Sequence, residues 1–246
     1  MDELIDELMP GSIPGSIEFR SFEDRSAASI AASELLADLI REDLTENPTT
    51  RASLVVSGGS TPGPCFEQLS HSALDWSRVT VVPSDERWVS VSHSDSNERL
   101  IKQRLLQDHA TKGQVLPFYR AGLDASQAPT MIEQDLLGLQ QPFSASLLGM
   151  GEDGHFASLF PDFDDLEQAL DPLNDTACIM VQTVGSPHLR ISLTLSALLN
   201  SAHIVLLIFG EAKRLVFETA ISGNSGYPVE ALLSHATTPL TVIWAP

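Results

Sequence analysis

Short, unbroken apolar runs recur along the chain and alternate with longer stretches of helical periodicity. The runs are "ASLVVSGG", "VTVVPSDER", "SASLLGMG", "ACIMVQTV", "IVLLIFG" and "LTVIWA", and several of them lack the alternating polarity of a strand with one wet face. A strand can be apolar on both sides only where both faces of its sheet are covered, and helices between consecutive strands provide that cover. Strand, helix, strand order implies right-handed crossovers. The pattern therefore predicts an α/β fold: an open, mostly parallel, doubly wound, Rossmann-like sheet with helices on both faces.

Between the runs, "SIEF" reads as an edge segment. Ser21 then caps a helix, with Asp24 at the capping-box position and Ile30, Leu35, Leu36 and Leu39 at helical spacing. Further helical patterns run from Ser96 to Gln107, Ala128 to Leu139, Thr194 to Asn200, Glu211 to Ile221 and Pro228 to Ser234. The intervals 107–127 and 161–176 read as insertions or lids. There is no internal repeat and no linker, so residues 1–246 are expected to form a single domain, and 43% hydrophobic content supports one large core.

Charge and cysteine usage narrow the function classes. A net charge of -19 repels polyanionic backbones, which argues against nucleic-acid and anionic-membrane partners. "MDELIDELMP" is acidic where a secretory signal is basic, and "IVLLIF" is strand-sized, far short of a membrane span. Cys65 and Cys178 cannot make a disulfide framework, so a reducing, cytoplasmic compartment is expected. With Lys and Arg totalling only 14, each basic residue in a loop after a strand is informative.

In such sheets ligands sit outside the carboxyl ends of the strands. The loop "SGGSTPGP" offers Gly58 and Gly59 for close backbone approach to an anion, with the Ser60 and Thr61 hydroxyls ahead of a helix that Pro62 or Pro64 can start. A plain tight turn is the alternative. It is neither a nucleotide P-loop nor a GxGxxG loop. "PSDERWV" sets Asp85, Glu86 and Arg87 directly after a buried strand, as site residues or as a solvated ion pair. "SHSDSNERL" follows, with Ser94 or Ser96 as a helix cap and Asn97 and Arg99 readable as first-turn residues. "LLGMGEDGHFASLFP" brackets acids and His155 with glycines, and Asp153 stands two residues before the histidine, close enough to orient an imidazole. Arg190 opens a strand in "SPHLRISL". Lys213 sits in the first turn of a helix in "FGEAKR", where a cation is disfavoured by the macrodipole, so its placement hints at function.

In order and spacing, "SGGSTP", "DERWV" with "SDSNERL", "GMGEDGHFASLFP", "RISLTL" and "GEAK" resemble the 6-phosphogluconolactonases across nearly the whole chain. The resemblance implies the open α/β sheet shared with glucosamine-6-phosphate deaminases and ribose-5-phosphate isomerases. It also implies hydrolysis of 6-phospho-D-glucono-1,5-lactone in the pentose phosphate pathway. By resemblance His155 is the base, oriented by Asp153, and Gly149, Gly151 and Gly154 are candidate oxyanion donors. The 6-phosphate falls to Gly58, Gly59, Ser60 and Thr61, with Arg87, Arg190 and Lys213 as charge partners. Asp85 is a candidate for the sugar hydroxyls or, with Glu86, for holding Arg87. A deaminase or another sugar-phosphate isomerase is the competing reading; the deaminases continue their "DGH" with an Asn-Glu-Pro element, and this chain has Leu159, Phe160 and Pro161 instead. A sugar-phosphate sensor without chemistry is a third reading, against which His155 with Asp153 argues. No His, Cys and carboxylate cluster shows metal-ligand spacing along the chain, so no metal or other cofactor is expected.

Overall fold

The computed structural model describes residues 17–246; "MDELIDELMP" lies outside them. The strands are β1 (Ile17–Ser21), β2 (Ala52–Val56), β3 (Val79–Pro83), β4 (Asp85–Arg87), β5 (Gln114–Val115), β6 (Ala145–Leu148), β7 (Cys178–Val181), β8 (Arg190–Leu193), β9 (Ile204–Phe209) and β10 (Leu240–Ala245). The helices are α1 (Arg25–Glu46), α2 (Gly63–Ser70), α3 (Asn97–Arg104), α4 (Ala128–Leu136), α5 (Leu166–Ala169), α6 (Leu195–Leu199), α7 (Glu211–Ile221) and α8 (Pro228–His235).

Seven strands form one parallel sheet in the order β1-β10-β9-β6-β2-β3-β5. Strand periodicity sorts its apolar side chains into two cores. Leu54 and Val56 join Leu36 and Ile40 of α1 and Phe66 of α2, while Val55, between them, joins Ile132 of α4, Phe217 of α7 and Leu232 of α8. The unbroken apolar runs thus have the predicted cause, helices on both faces.

Other expectations change. Ser21 ends β1, and the cap of α1 is Asp24, whose carboxylate accepts the Ala27 N–H at 2.8 Å. The buried stripe of α1 is made of Ala28, Ser29, Ala32, Ser33, Leu36 and Ile40, and Ile30 faces outward. Small residues let this helix lie close to the sheet, and a count of large apolar residues misses that face. The interval 107–127 is more than a lid, because it supplies edge strand β5 and the core residues Leu116 and Phe118.

The largest difference is a second sheet, antiparallel and three-stranded, in the order β4-β8-β7. "VTVVPSDER" breaks at Ser84, so its charged end leaves the parallel sheet and pairs with β8, Arg87 opposite Arg190. "ACIMVQTV" pairs there too, with Cys178 and Val181 buried and Met180 exposed. Between β2 and β6 the chain reverses its direction of travel across the main sheet, since β2 leads to β3 on one side and β6 leads to β9 on the other. Such a switch point opens a crevice at the strands' carboxyl ends.

Candidate active site

A cavity of about 250 Å³ occupies that crevice. On one side is the loop from Ser57 to Thr61, between β2 and α2. Among the described residues, the N–H groups of Gly58, Gly59, Ser60 and Thr61 and the hydroxyls of Ser60 and Thr61 meet no protein acceptor. Gly58 has to be glycine, because an added Cβ would stand 1.9 Å from Asn97 Oδ1. Asn97 is held in turn by donating to the Asp85 carbonyl at 2.8 Å. A row of unpaired donors ahead of a helix N-terminus is the arrangement that receives an anion.

On the other side, the loop after β6 satisfies itself. The Gly149 N–H donates to Ser57 Oγ at 3.2 Å, Gly151 N–H to the His155 carbonyl at 2.8 Å, and Gly154 N–H to the Gly151 carbonyl at 3.1 Å. These glycines therefore have no spare N–H for an oxyanion, a correction to the sequence expectation. Their work is geometric. A Cβ on Gly151 would lie 2.3 Å from His155 Nδ1 and 2.4 Å from Asp153 Oδ1. That absence lets the two side chains meet over the loop, Nδ1 to Oδ1 at 2.5 Å. With Nδ1–H donated to Asp153, Nε2 carries the free lone pair of the neutral ring. The imidazole packs on Phe160 at 4.3 Å between centroids, and Arg190 covers the same phenyl ring at 5.1 Å. Ala157, also in the cavity wall, holds a left-handed φ of 49°, a strained conformation of the kind that gathers at functional sites.

The second sheet brings in the basic residues. Arg87 and Arg190 face each other across β4 and β8, and both line the cavity. Arg87 Nη1 donates to the Asp95 carbonyl at 2.7 Å, whereas its buried Nε has no partner among the described residues. Such an orphan costs about 1–3 kcal/mol until an acceptor arrives. Arg190 lies 3.7 Å from Asp85, and burial draws its pKa below the ordinary value while Asp85 opposes the shift. Lys213, in the first turn of α7, also reaches the cavity; burial pushes its pKa down, offset in part by Glu152.

Asp85 and Glu86 separate in role. Glu86 is fully buried and accepts the N–H groups of Arg87, Asn97 and Glu98 at 2.7, 2.8 and 2.7 Å, so it anchors the start of α3. Burial raises its pKa, against those donors. Asp85 touches the cavity and accepts from Ser158 Oγ and, at 3.3 Å, from Asn97 Nδ2. Sequence reading passed over Asn97 as a first-turn residue; only its contact with Gly58 shows that it shapes the cavity. Met150, also unflagged by sequence, lines the cavity with an N–H that has no acceptor among the described residues.

The arrangement can bind an anion through unpaired amides and cations, and it sets an oriented imidazole in the same cavity. Comparisons with known proteins find relatives over nearly the whole chain. A family model described as glucosamine-6-phosphate isomerases/6-phosphogluconolactonase matches residues 23–244. A 6-phosphogluconolactonase of Rhizobium meliloti is 39% identical over 235 residues, 94% of this chain and 100% of that one. One from Mesorhizobium japonicum is 36% identical over 231 residues, 94% of this chain and 96% of that one. The crystal structure of a 6-phosphogluconolactonase from Shewanella baltica superposes with a TM-score of 0.89 at 36% identity, covering 96% and 100% of the two chains. A monomeric glucosamine-6-phosphate deaminase, 22% identical with a TM-score of 0.73 over 93% of this chain and 97% of that one, shares the fold.

Proposed function

The chain belongs to the glucosamine-6-phosphate isomerase/6-phosphogluconolactonase family, and from that premise we infer that it is an enzyme of the pentose phosphate pathway that hydrolyses 6-phospho-D-glucono-1,5-lactone to 6-phospho-D-gluconate. The observation that carries the assignment of residues is the paired His155 and Asp153 facing a cradle of unpaired donors across one cavity.

In this reading the 6-phosphate takes the amides and hydroxyls of Gly58 to Thr61, with Arg87, Arg190 and Lys213 supplying charge. Arginine suits bidentate contact with phosphate oxygens; lysine acts as a point charge. His155 Nε2 removes a proton from the water that attacks C1, and the imidazolium, steadied by Asp153, returns it to the departing ring oxygen O5. With the glycines after β6 committed to one another and the β2 loop given to the phosphate, the N–H of Met150, which lines the cavity and meets no acceptor among the described residues, is a donor for the tetrahedral oxyanion. None of these steps requires a metal.

Deamination of an amino sugar needs a further proton-transferring group to open the ring. Here that stretch is Leu159, fully buried, and Phe160, packed against His155, neither of which moves a proton. The cytoplasm is the compartment we assign, on the two buried, unpaired thiols. Burial pushes the Cys65 thiol up to about 12, so it stays protonated and inert. Among the described residues no helix is long and apolar enough to cross a membrane.

The test is an assay on freshly generated 6-phosphogluconolactone, corrected for spontaneous hydrolysis, beside an ammonia assay on glucosamine 6-phosphate. Accelerated lactone loss with no ammonia is expected; ammonia release without lactonase activity would reverse the assignment.

A further inference from the structure

No metal-ligand spacing is visible along the chain, but the fold creates a ligand set that spacing cannot show. His93 and Asp95 lie on the connection from β4 to α3, and His188 lies just before β8, 93 positions beyond Asp95. The β4–β8 pairing brings them together: Asp95 Oδ2 stands 3.0 Å from His188 Nε2 and 3.9 Å from His93 Nδ1. The imidazoles meet edge to face at 5.2 Å. One donor atom from each residue lies within 4.8 Å of the other two, the one such group of three among the described residues.

We propose that His93, Asp95 and His188 form a binding site for one divalent ion of the zinc class. Donors held about 2.0–2.2 Å from a tetrahedral ion sit roughly 3.3 Å from one another, and the observed separations bracket that value. The remaining positions go to water, since His93 is exposed and Asp95 only half-buried. Two imidazoles with one carboxylate suit Zn²⁺ or Co²⁺; Mg²⁺ and Ca²⁺ select oxygen donors throughout. His93 Nδ1 now accepts the Asp95 N–H at 3.1 Å, and this exposed side chain can exchange that bond for the ion by turning about its own bonds. The surroundings hold the other two ligands in place. Ser94 Oγ donates to Asp95 Oδ1 at 3.2 Å, and the Ser186 hydroxyl donates to the His188 carbonyl at 2.8 Å.

The site is separate from the chemistry, since none of the three residues lines the cavity. Its effect is mechanical. Trp88 N–H donates to the Leu189 carbonyl at 2.7 Å, next to the opposed Arg87 and Arg190, and the Asp95 carbonyl receives Arg87 Nη1. A bound ion therefore staples the outer end of the strand pair that carries both arginines.

The probe is the metal alone. Tag-free, chelator-stripped protein is titrated with Co²⁺, followed by visible absorption, and with Zn²⁺ by calorimetry. One equivalent is expected to bind, and Zn²⁺ raises Tm in a concentration-dependent way, as for any ligand that favours the native state. His93→Ala and His188→Ala each remove one of the three protein ligands and weaken binding by more than about 100-fold, beyond the roughly 10–100-fold that loss of an outer partner of a metal ligand costs. His71→Ala and His155→Ala leave it unchanged. His93 is exposed, so its variant keeps the metal-free Tm; His188→Gln serves if His188→Ala does not fold. No saturable binding below about 100 μM, or binding indifferent to both the His93 and His188 changes, overturns the proposal.

Discussion

Two glycine-rich loops meet at the switch point between β2 and β6, and they use their backbones in opposite ways. In the loop after β2 the amides of Gly58 to Thr61 meet no acceptor among the described residues. In the loop after β6 Gly149, Gly151 and Gly154 spend their N–H groups on Ser57, His155 and Gly151. Unpaired donors in a cavity are a binding surface, because a ligand that supplies acceptors gains the full interaction. Satisfied donors make a rigid frame, which here holds an imidazole against a carboxylate. In sequence the two loops look alike; the difference teaches that glycine enables either role and hydrogen bonding selects one.

The comparison predicts that damage to the closed loop lowers kcat and damage to the open side raises KM. The largest effect belongs to His155→Ala, which should lower kcat by about 10²–10⁴-fold while leaving binding of the product 6-phosphogluconate nearly intact. Near-normal turnover in a folded variant would dissolve the contrast and make the histidine structural. Gly151→Ala comes next. Its Cβ falls among the atoms of His155 and Asp153, and a base displaced by about 1 Å costs on the order of 10²-fold in kcat with little change in KM.

Arg190→Ala sharpens the other half. Removing a charge-assisted contact of about 1.5–3 kcal/mol should raise KM for the phosphorylated lactone by roughly 10–150-fold, and non-phosphorylated gluconolactone should be nearly indifferent. Equal losses on both substrates would assign the arginine to architecture, through Asp85 and Phe160. The smallest effect is a pH limb. Because burial lowers the pKa of Lys213, its charge is complete at low pH and lost as pH rises, earlier than for an ordinary lysine. Affinity for 6-phosphogluconate, which does not hydrolyse, should therefore decline on the alkaline side, and Lys213→Arg should flatten that decline.

Much of this was legible in the residues. Apolar runs without alternation specified a sheet covered on both faces, and the glycine-bracketed His155 beside Asp153 marked the candidate base, because periodicity and turn chemistry are local properties of the chain. The cap of α1 and its Ala and Ser face were misread, since Ser21 and the large residues Ile30, Leu35 and Leu39 gave the stronger local signal. The three-stranded sheet was invisible for a different reason. Its strands are short, and nothing in "DERWV" alone says that it abandons the parallel sheet at Ser84.

What the sequence by itself determined was the class of fold and the loops that line the cavity, with His155 in one of them. Tertiary structure alone decided which amides stay open, that Glu86 anchors α3, that Asn97 presses on Gly58, and that His93 meets His188. The physical reason is one of range. A residue's propensity and polarity act on its neighbours in the chain, whereas a donor's commitment depends on the acceptor that folding delivers: for Gly149, a serine hydroxyl 92 positions away.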